Sequence, residues 1–164
     1  MPRVYVLQRV QRLAIGLHEA WDFFVAPGNL SRLTPPELQL EFESPQPSTV
    51  YAGLMLQYRV RVLPGIRMRW LSEITHVEPP HRFVDEQRLG PYRLWHHEHV
   101  LGEIPGGTEV RDLIHYVLPL GGLLGRLMHR LLVRRQLERI FDYRAAALAE
   151  LFGTLDNPVP ANPA

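Results

Sequence analysis

The chain of 164 residues contains no cysteine, so disulfides, thiolate metal sites and thiol nucleophiles lie outside its chemistry. It contains no lysine either: all 18 of its fixed cationic side chains are arginine, against 17 acidic residues. A guanidinium keeps its charge when buried and forms no Schiff base, which leaves amine-based covalent chemistry to the amino terminus. The arginine-only choice is read first as a reflection of genomic base composition. A net charge of +1 argues against a nucleic-acid binder, for which a domain pI above about 9 with clustered basic residues is expected. Long apolar runs are lacking as well. The longest, around Leu118 to Leu132, is interrupted by Pro119, glycines, arginines and His129, short of the roughly 20 apolar residues of a membrane span. Arg9 and Arg12 break the only early apolar run, so no secretory leader is read and the cytoplasm is the expected location.

With 46% hydrophobic and 21% charged residues, the composition is globular. The length suits one domain, since domains cluster at roughly 100 to 150 residues. Residues 1–153 are assigned to it, and the proline- and asparagine-containing tail 154–164 is expected to be disordered.

Val4, Val6 and Val10 alternate with Tyr5, Leu7 and Arg9 as in a strand. Trp21, Phe24 and Val25 recur at helical spacing over His18 to Val25, and a second short helical piece is read from Asn29 to Leu33. Turn signals at Ser44–Pro47, Pro64-Gly65, Glu78–Pro80, Gly90-Pro91 and Pro105–Gly107 then divide strands at 54–63, 66–77, 82–89, 92–104 and 108–118. Short connections without intervening helices imply an antiparallel meander. A long helix from Leu123 to Phe152 follows, with an apolar stripe of Leu124, Leu127, Leu131, Leu137 or Ile140, Phe141, Ala145, Leu148 and Phe152. A helix of about 30 residues is roughly 45 Å long, enough to cross a whole sheet.

The stretch Phe83, Asp85-Glu86-Gln87, Gly90-Pro91-Tyr92, Trp95, His97, His99 resembles the central signature of a bacterial branch of the SRPBCC superfamily, which includes START domains, Bet v 1 and polyketide cyclases/dehydrases. That branch is a ligand-binding group named after CDP-paratose 2-epimerase-type proteins. Trp21-x-x-Phe24, Pro27-x-Asn29-Leu30-x-x-Leu33-Thr34-Pro35-Pro36, Trp70, Ile74, Thr108, Asp112, Tyr116, Pro119 and Gly121 agree with it in order. The resemblance implies an α+β helix-grip fold: a curved antiparallel sheet of about seven strands, two short helices after strand 1, and one long C-terminal helix within the grip. It also implies a hydrophobic pocket, and much less a reaction.

Residues two apart on a strand share a face, so Trp95, His97 and His99 point one way and His96 and Glu98 the other. If the concave faces carry them, Asp85, Gln87, His97, His99, Asp112 and Tyr116 form a polar cluster beneath the long helix, among Tyr58, Trp70 and Trp95. Convergent polar groups in an apolar pocket are the usual form of a small-molecule site. The cluster can be a buried structural network, or it can orient the polar end of a mostly hydrophobic ligand. In a catalytic reading, Asp112 or Asp85 orients His97 or His99 for proton shuttling, as an aldol cyclisation or dehydration requires. His97-x-His99 could also offer two imidazoles to zinc, with Asp85 or Asp112 as third ligand. The adopted reading is a histidine pair bonded to carboxylates or water, with no metal and no cofactor. Trp21 and Phe24 are read as core that would close over a ligand if the lid moves.

Arg126, Arg130, Arg134, Arg135, Arg139 and Arg144 lie along the helix. They are read as a solvated face, as are Arg59, Arg61, Arg67 and Arg69 on the strands, because the apolar stripe is needed to cover the sheet. Weak contact with an anionic membrane surface is the alternative. The favoured function is binding or carriage of a small hydrophobic or amphipathic molecule. The rivals are a cyclase or dehydratase using His97, His99 and Asp112, and an interaction module with a vestigial pocket that binds an epimerase-type partner.

Overall fold

A computed structural model describes residues 3–63 and 65–155. The strands are β1 (Tyr5–Leu13), β2 (Glu41–Phe42), β3 (Met55–Leu63), β4 (Ile66–Glu78), β5 (Arg82–Leu89), β6 (Leu94–Ile104) and β7 (Gly107–Val117). They form one seven-stranded antiparallel sheet in the spatial order β1-β7-β6-β5-β4-β3-β2. Consecutive strands β3 to β7 are neighbours because each connection is short, and β2 pairs with β3 across the longer connection 43–54. β1 and β2, also consecutive, lie at opposite edges, so the chain between them must cross the mouth of the curved sheet. It does so through α1 (Leu17–Phe24) and two 3-10 turns, Pro27–Leu33 and Pro36–Leu38. The strand limits agree with the turn signals to within two residues, and β2, only two residues long, is an addition to the sequence reading.

The C-terminal helix has three parts: α2 (Gly122–Met128), a single π-helical turn (His129–Val133) and α3 (Arg134–Phe152). On α3, Leu137, Phe141, Arg144 and Leu148 are buried, one face at three- and four-residue spacing. The π turn admits an extra residue and so rotates everything before it. Gly125 is the buried position of α2, and a Cβ there would fall 2.1 Å from the Leu120 carbonyl oxygen, a space only glycine can occupy.

Two expectations for this helix are thereby corrected. Leu124, Leu127 and Leu131 are exposed rather than packed on the sheet, because the π turn breaks the phase that would have carried the stripe through. Arg144, read as part of a solvated face, is buried, because it shares the inward face of Phe141 and Leu148. Past α3, Thr154 pairs with Leu13 and the Leu155 amide donates to the Arg12 carbonyl. The rest of the tail, 156–164, lies outside the described residues.

The interior has two apolar clusters. One joins α1, β5, β6 and the end of α3 through Trp21, Phe24, Phe83, Leu101 and Leu148. The other joins β6, β7 and the start of α3 through Trp95, Ile114, Tyr116, Leu137 and Phe141. Among the described residues no helix is long and apolar enough to cross a membrane.

Candidate functional site

Between the two apolar clusters lies a polar belt, set by strand register. His97 of β6 stands opposite Asp85 of β5, and His99 stands opposite Asp112 of β7. All four side chains share the inward face, and α3 lays Arg144 over them. The imidazoles pack with their centroids 3.8 Å apart. Asp112 Oδ1 lies 2.9 Å from Nε2 of His97 and 2.9 Å from Nδ1 of His99. Asp85 Oδ2 lies 3.1 Å from Nε2 of His99 and 3.4 Å from Nδ1 of His97. Arg144 reaches Asp112 Oδ1 at 3.5 Å, and its guanidinium sits by the rings of Phe24 and Phe141, 5.4 and 5.9 Å from their centroids.

Two buried imidazoles this close disfavour each other's charge. Burial pushes the His97 pKa down, and the neighbouring His99 adds to this. Burial opposes the charge of His99 as well, but hydrogen bonds to Asp112 and Asp85 outweigh it and raise its pKa. Burial would raise both carboxylates. Asp112 is nevertheless held well below the usual range by Arg144 and both histidines, and Asp85 is lowered by the two histidines and Arg144. The belt therefore balances two carboxylates against Arg144 and one imidazolium, His99. Neutral His97 carries one ring proton and can donate to only one of the two carboxylates it faces, from Nε2 to Asp112 or from Nδ1 to Asp85, and its other nitrogen keeps a lone pair.

A cavity of about 410 Å³ opens between the sheet and the C-terminal helix, within the roughly 300 to 1,000 Å³ of small-molecule sites. Of the residues singled out in the sequence, Phe24, Tyr58, Trp70, Asp85, Trp95, His97 and His99 line it. The others lie behind or beside its wall. Asp112 is beneath the histidines. Gln87 is spent on the turn after β5, donating to the Tyr92 carbonyl at 2.6 Å and accepting from its amide at 3.2 Å. Tyr116, whose pKa burial pushes up to about 12, donates its hydroxyl to Nε2 of His129 at 2.7 Å. Trp21 packs edge-on against Phe83 in the core.

Among the lining residues that sequence reasoning did not place in the site, Ser72 and Arg144 carry polar atoms at its heart. Ser72 is 3% exposed and takes the polar tips of two aromatics, 3.3 Å from the Tyr58 hydroxyl and 3.0 Å from the Trp70 indole nitrogen. Arg144 lines the cavity, and its Nε is buried with no hydrogen-bond partner. Its place on the stripe of Phe141 and Leu148 was the available signal.

The ring nitrogens of His97 and His99 and an oxygen of Asp85 lie within 4.8 Å of one another, close enough to converge on a cation. The charge balance fits such an ion poorly. Arg144 already neutralises one carboxylate, and a divalent ion in place of the His99 proton would leave a buried excess of positive charge.

No family model and no curated protein sequence matches the chain. Solved structures do. Norcoclaurine synthase of Thalictrum flavumn, a point mutant in complex with a transition-state analogue, aligns at TM-score 0.64 and 13% identity, covering 92% of this chain and 98% of that one. Ara h 8.0201, a Bet v 1 homologue, aligns at TM-score 0.59 and 12% identity over 90% and 99% of the two chains. The di-domain ARO/CYC BexL of the BE-7585A biosynthetic pathway aligns at TM-score 0.60 and 18% identity over 88% of this chain and 50% of that one. The fold is thus the helix-grip fold of Bet v 1-like proteins.

Proposed function

We propose that the chain binds a small, mostly apolar molecule between sheet and helix, with its polar end on Asp85, His97, His99 and Arg144. The observation that carries this is the orphan Nε of Arg144 beside His97 and His99, in a wall that is mainly aromatic and aliphatic; Arg61, read as solvated from the sequence, lines the same cavity with a second partnerless buried Nε. A buried donor without a partner costs roughly 1–3 kcal/mol, which a ligand oxygen would recover. A neutral acceptor such as a carbonyl fits best, because the belt is already charge-balanced. The unprotonated ring nitrogen of neutral His97 complements it by accepting from a hydroxyl. Native mass spectrometry of protein isolated from cells, with organic extraction, is expected to recover a stoichiometric apolar compound with a carbonyl or hydroxyl end. Protein that carries nothing and retains no member of a quinone, fatty-acid and polyketide panel sinks the reading.

A second reading is favoured by the unequal protonation of the two histidines. Neutral His97 would take a proton from a carbon beside the ligand carbonyl, Arg144 would steady the enolate, and imidazolium His99 would protonate a departing hydroxyl to water. This is cyclase or dehydratase chemistry, and it needs no thiol or amine. His97→Gln is expected to abolish turnover while leaving binding within a few-fold; a variant that still turns over removes His97 as the base. The open cavity weighs against a vestigial pocket. The branch named after CDP-paratose 2-epimerase-type proteins, an epimerase-type partner and a cytoplasmic location rest on the sequence alone.

A further inference from the structure

The exposed half of the C-terminal helix points to a second surface, independent of what fills the cavity. Leu123, Leu124, Leu127 and Leu131 project outward, with Leu123 as much as 78% exposed. Spacings of one, four and eight residues place them on one face. Arg126 and Arg130 flank them, and the sequence from Leu118 to Leu137 contains no acidic residue. At the root of the helix, Arg3, Arg93 and Arg126 line a separate cleft of about 500 Å³. Among the described residues, none of these four arginines takes part in an ion pair. Leu132 connects this face to the interior, since it is exposed and also lines the cavity.

We propose that this face docks on an anionic lipid surface, with the leucines entering the acyl boundary, the arginines meeting lipid phosphates, and the cavity entrance turned to the membrane. Apolar side chains rimmed by guanidiniums fit that occupant. A second copy seated here would set Arg126 and Arg130 near their own counterparts, and a nucleic acid would leave the leucines without a partner.

The test is co-sedimentation of the full chain with vesicles of phosphatidylcholine, with and without about one-third phosphatidylglycerol. Binding to the anionic vesicles is expected to exceed binding to the neutral ones by at least about ten-fold and to weaken with salt. Arg126→Gln and Arg130→Gln should each weaken it by about five-fold, and Leu123→Ser with Leu127→Ser should abolish it while the melting temperature stays unchanged. No pelleting, equal pelleting on both vesicles, or indifference to the arginine variants overturns the proposal. So does a dimer in sedimentation equilibrium that the leucine variants dissolve, which would assign the face to a second copy.

Discussion

Leu127 and Leu148 belong to one continuous helix, yet the first is 52% exposed and the second 2%. Both residues are leucine; what differs is the phase in which the two halves meet the sheet. In α3 the inward face carries Leu137, Phe141, Arg144 and Leu148, and it encloses both apolar clusters and the polar belt. In α2 the inward position is Gly125 and the leucines face outward. One turn of π-helix separates a half that holds the fold together from a half whose leucines stay exposed among the described residues. The lesson is that hydrophobic content says little about burial until the helical phase is known.

The comparison can be broken most sharply at Arg144. Arg144→Leu leaves Asp112 without its fixed cation, and removing one partner of a buried ion cluster costs about 3–5 kcal/mol. Denaturant unfolding should show that loss, and adding Asp112→Asn should recover part of it; full additivity would mean that the two groups do not interact. Next, Leu148→Ala should cost about 3 kcal/mol as a core truncation, whereas Leu127→Ala in the other half should stay within about 0.5 kcal/mol. Equal losses would mean that α2 packs as α3 does.

Gly125→Ala is expected to cost about 2 kcal/mol through overpacking against Leu120. That single position makes the exposed half sensitive where its leucines are not.

The smallest effect is in pH. His99 has a raised pKa, so its stabilisation is full below the ordinary imidazole value of 6.5 and is lost as pH rises through its folded value. His97 is lowered, so acidification below 6.5 costs stability. Asp85 and Asp112 are lowered from 3.8, so their contribution is present above that value and lost as pH falls through their folded values. Thermal unfolding should therefore show a maximum near neutral pH, with a steeper acid limb and a shallower alkaline decline. His99→Gln should erase the alkaline decline and also alter the acid limb, since His99 bonds to both carboxylates; an unchanged alkaline limb would remove His99 as the proton holder.

The sequence made the meander legible because prolines and glycines punctuate it: Arg82–Leu89 stands between Pro79-Pro80 and Gly90-Pro91, and β5 has those limits. β2 escaped because two residues show no alternation. Period-two reasoning placed His97, His99, Asp85 and Asp112 on common faces, and register, which no single strand reveals, brought them together. Gln87 and Tyr116 share those faces but bond to Tyr92 and His129. Arg144 escaped because a charge on a helix is ordinarily solvated, although its neighbours on the stripe are Phe141 and Leu148.

The three tryptophans divide unevenly over this architecture. Trp70 and Trp95 line the cavity and meet edge to face at 5.4 Å, while Trp21 is sealed behind Phe83. Two of the three native fluorophores thus stand in the wall that a guest would touch, and none of the three is on the leucine face of α2. Emission colour and quenching should register occupancy of the interior without an added dye, and should stay silent when the outer face meets lipid. One unlabelled sample therefore separates filling from docking.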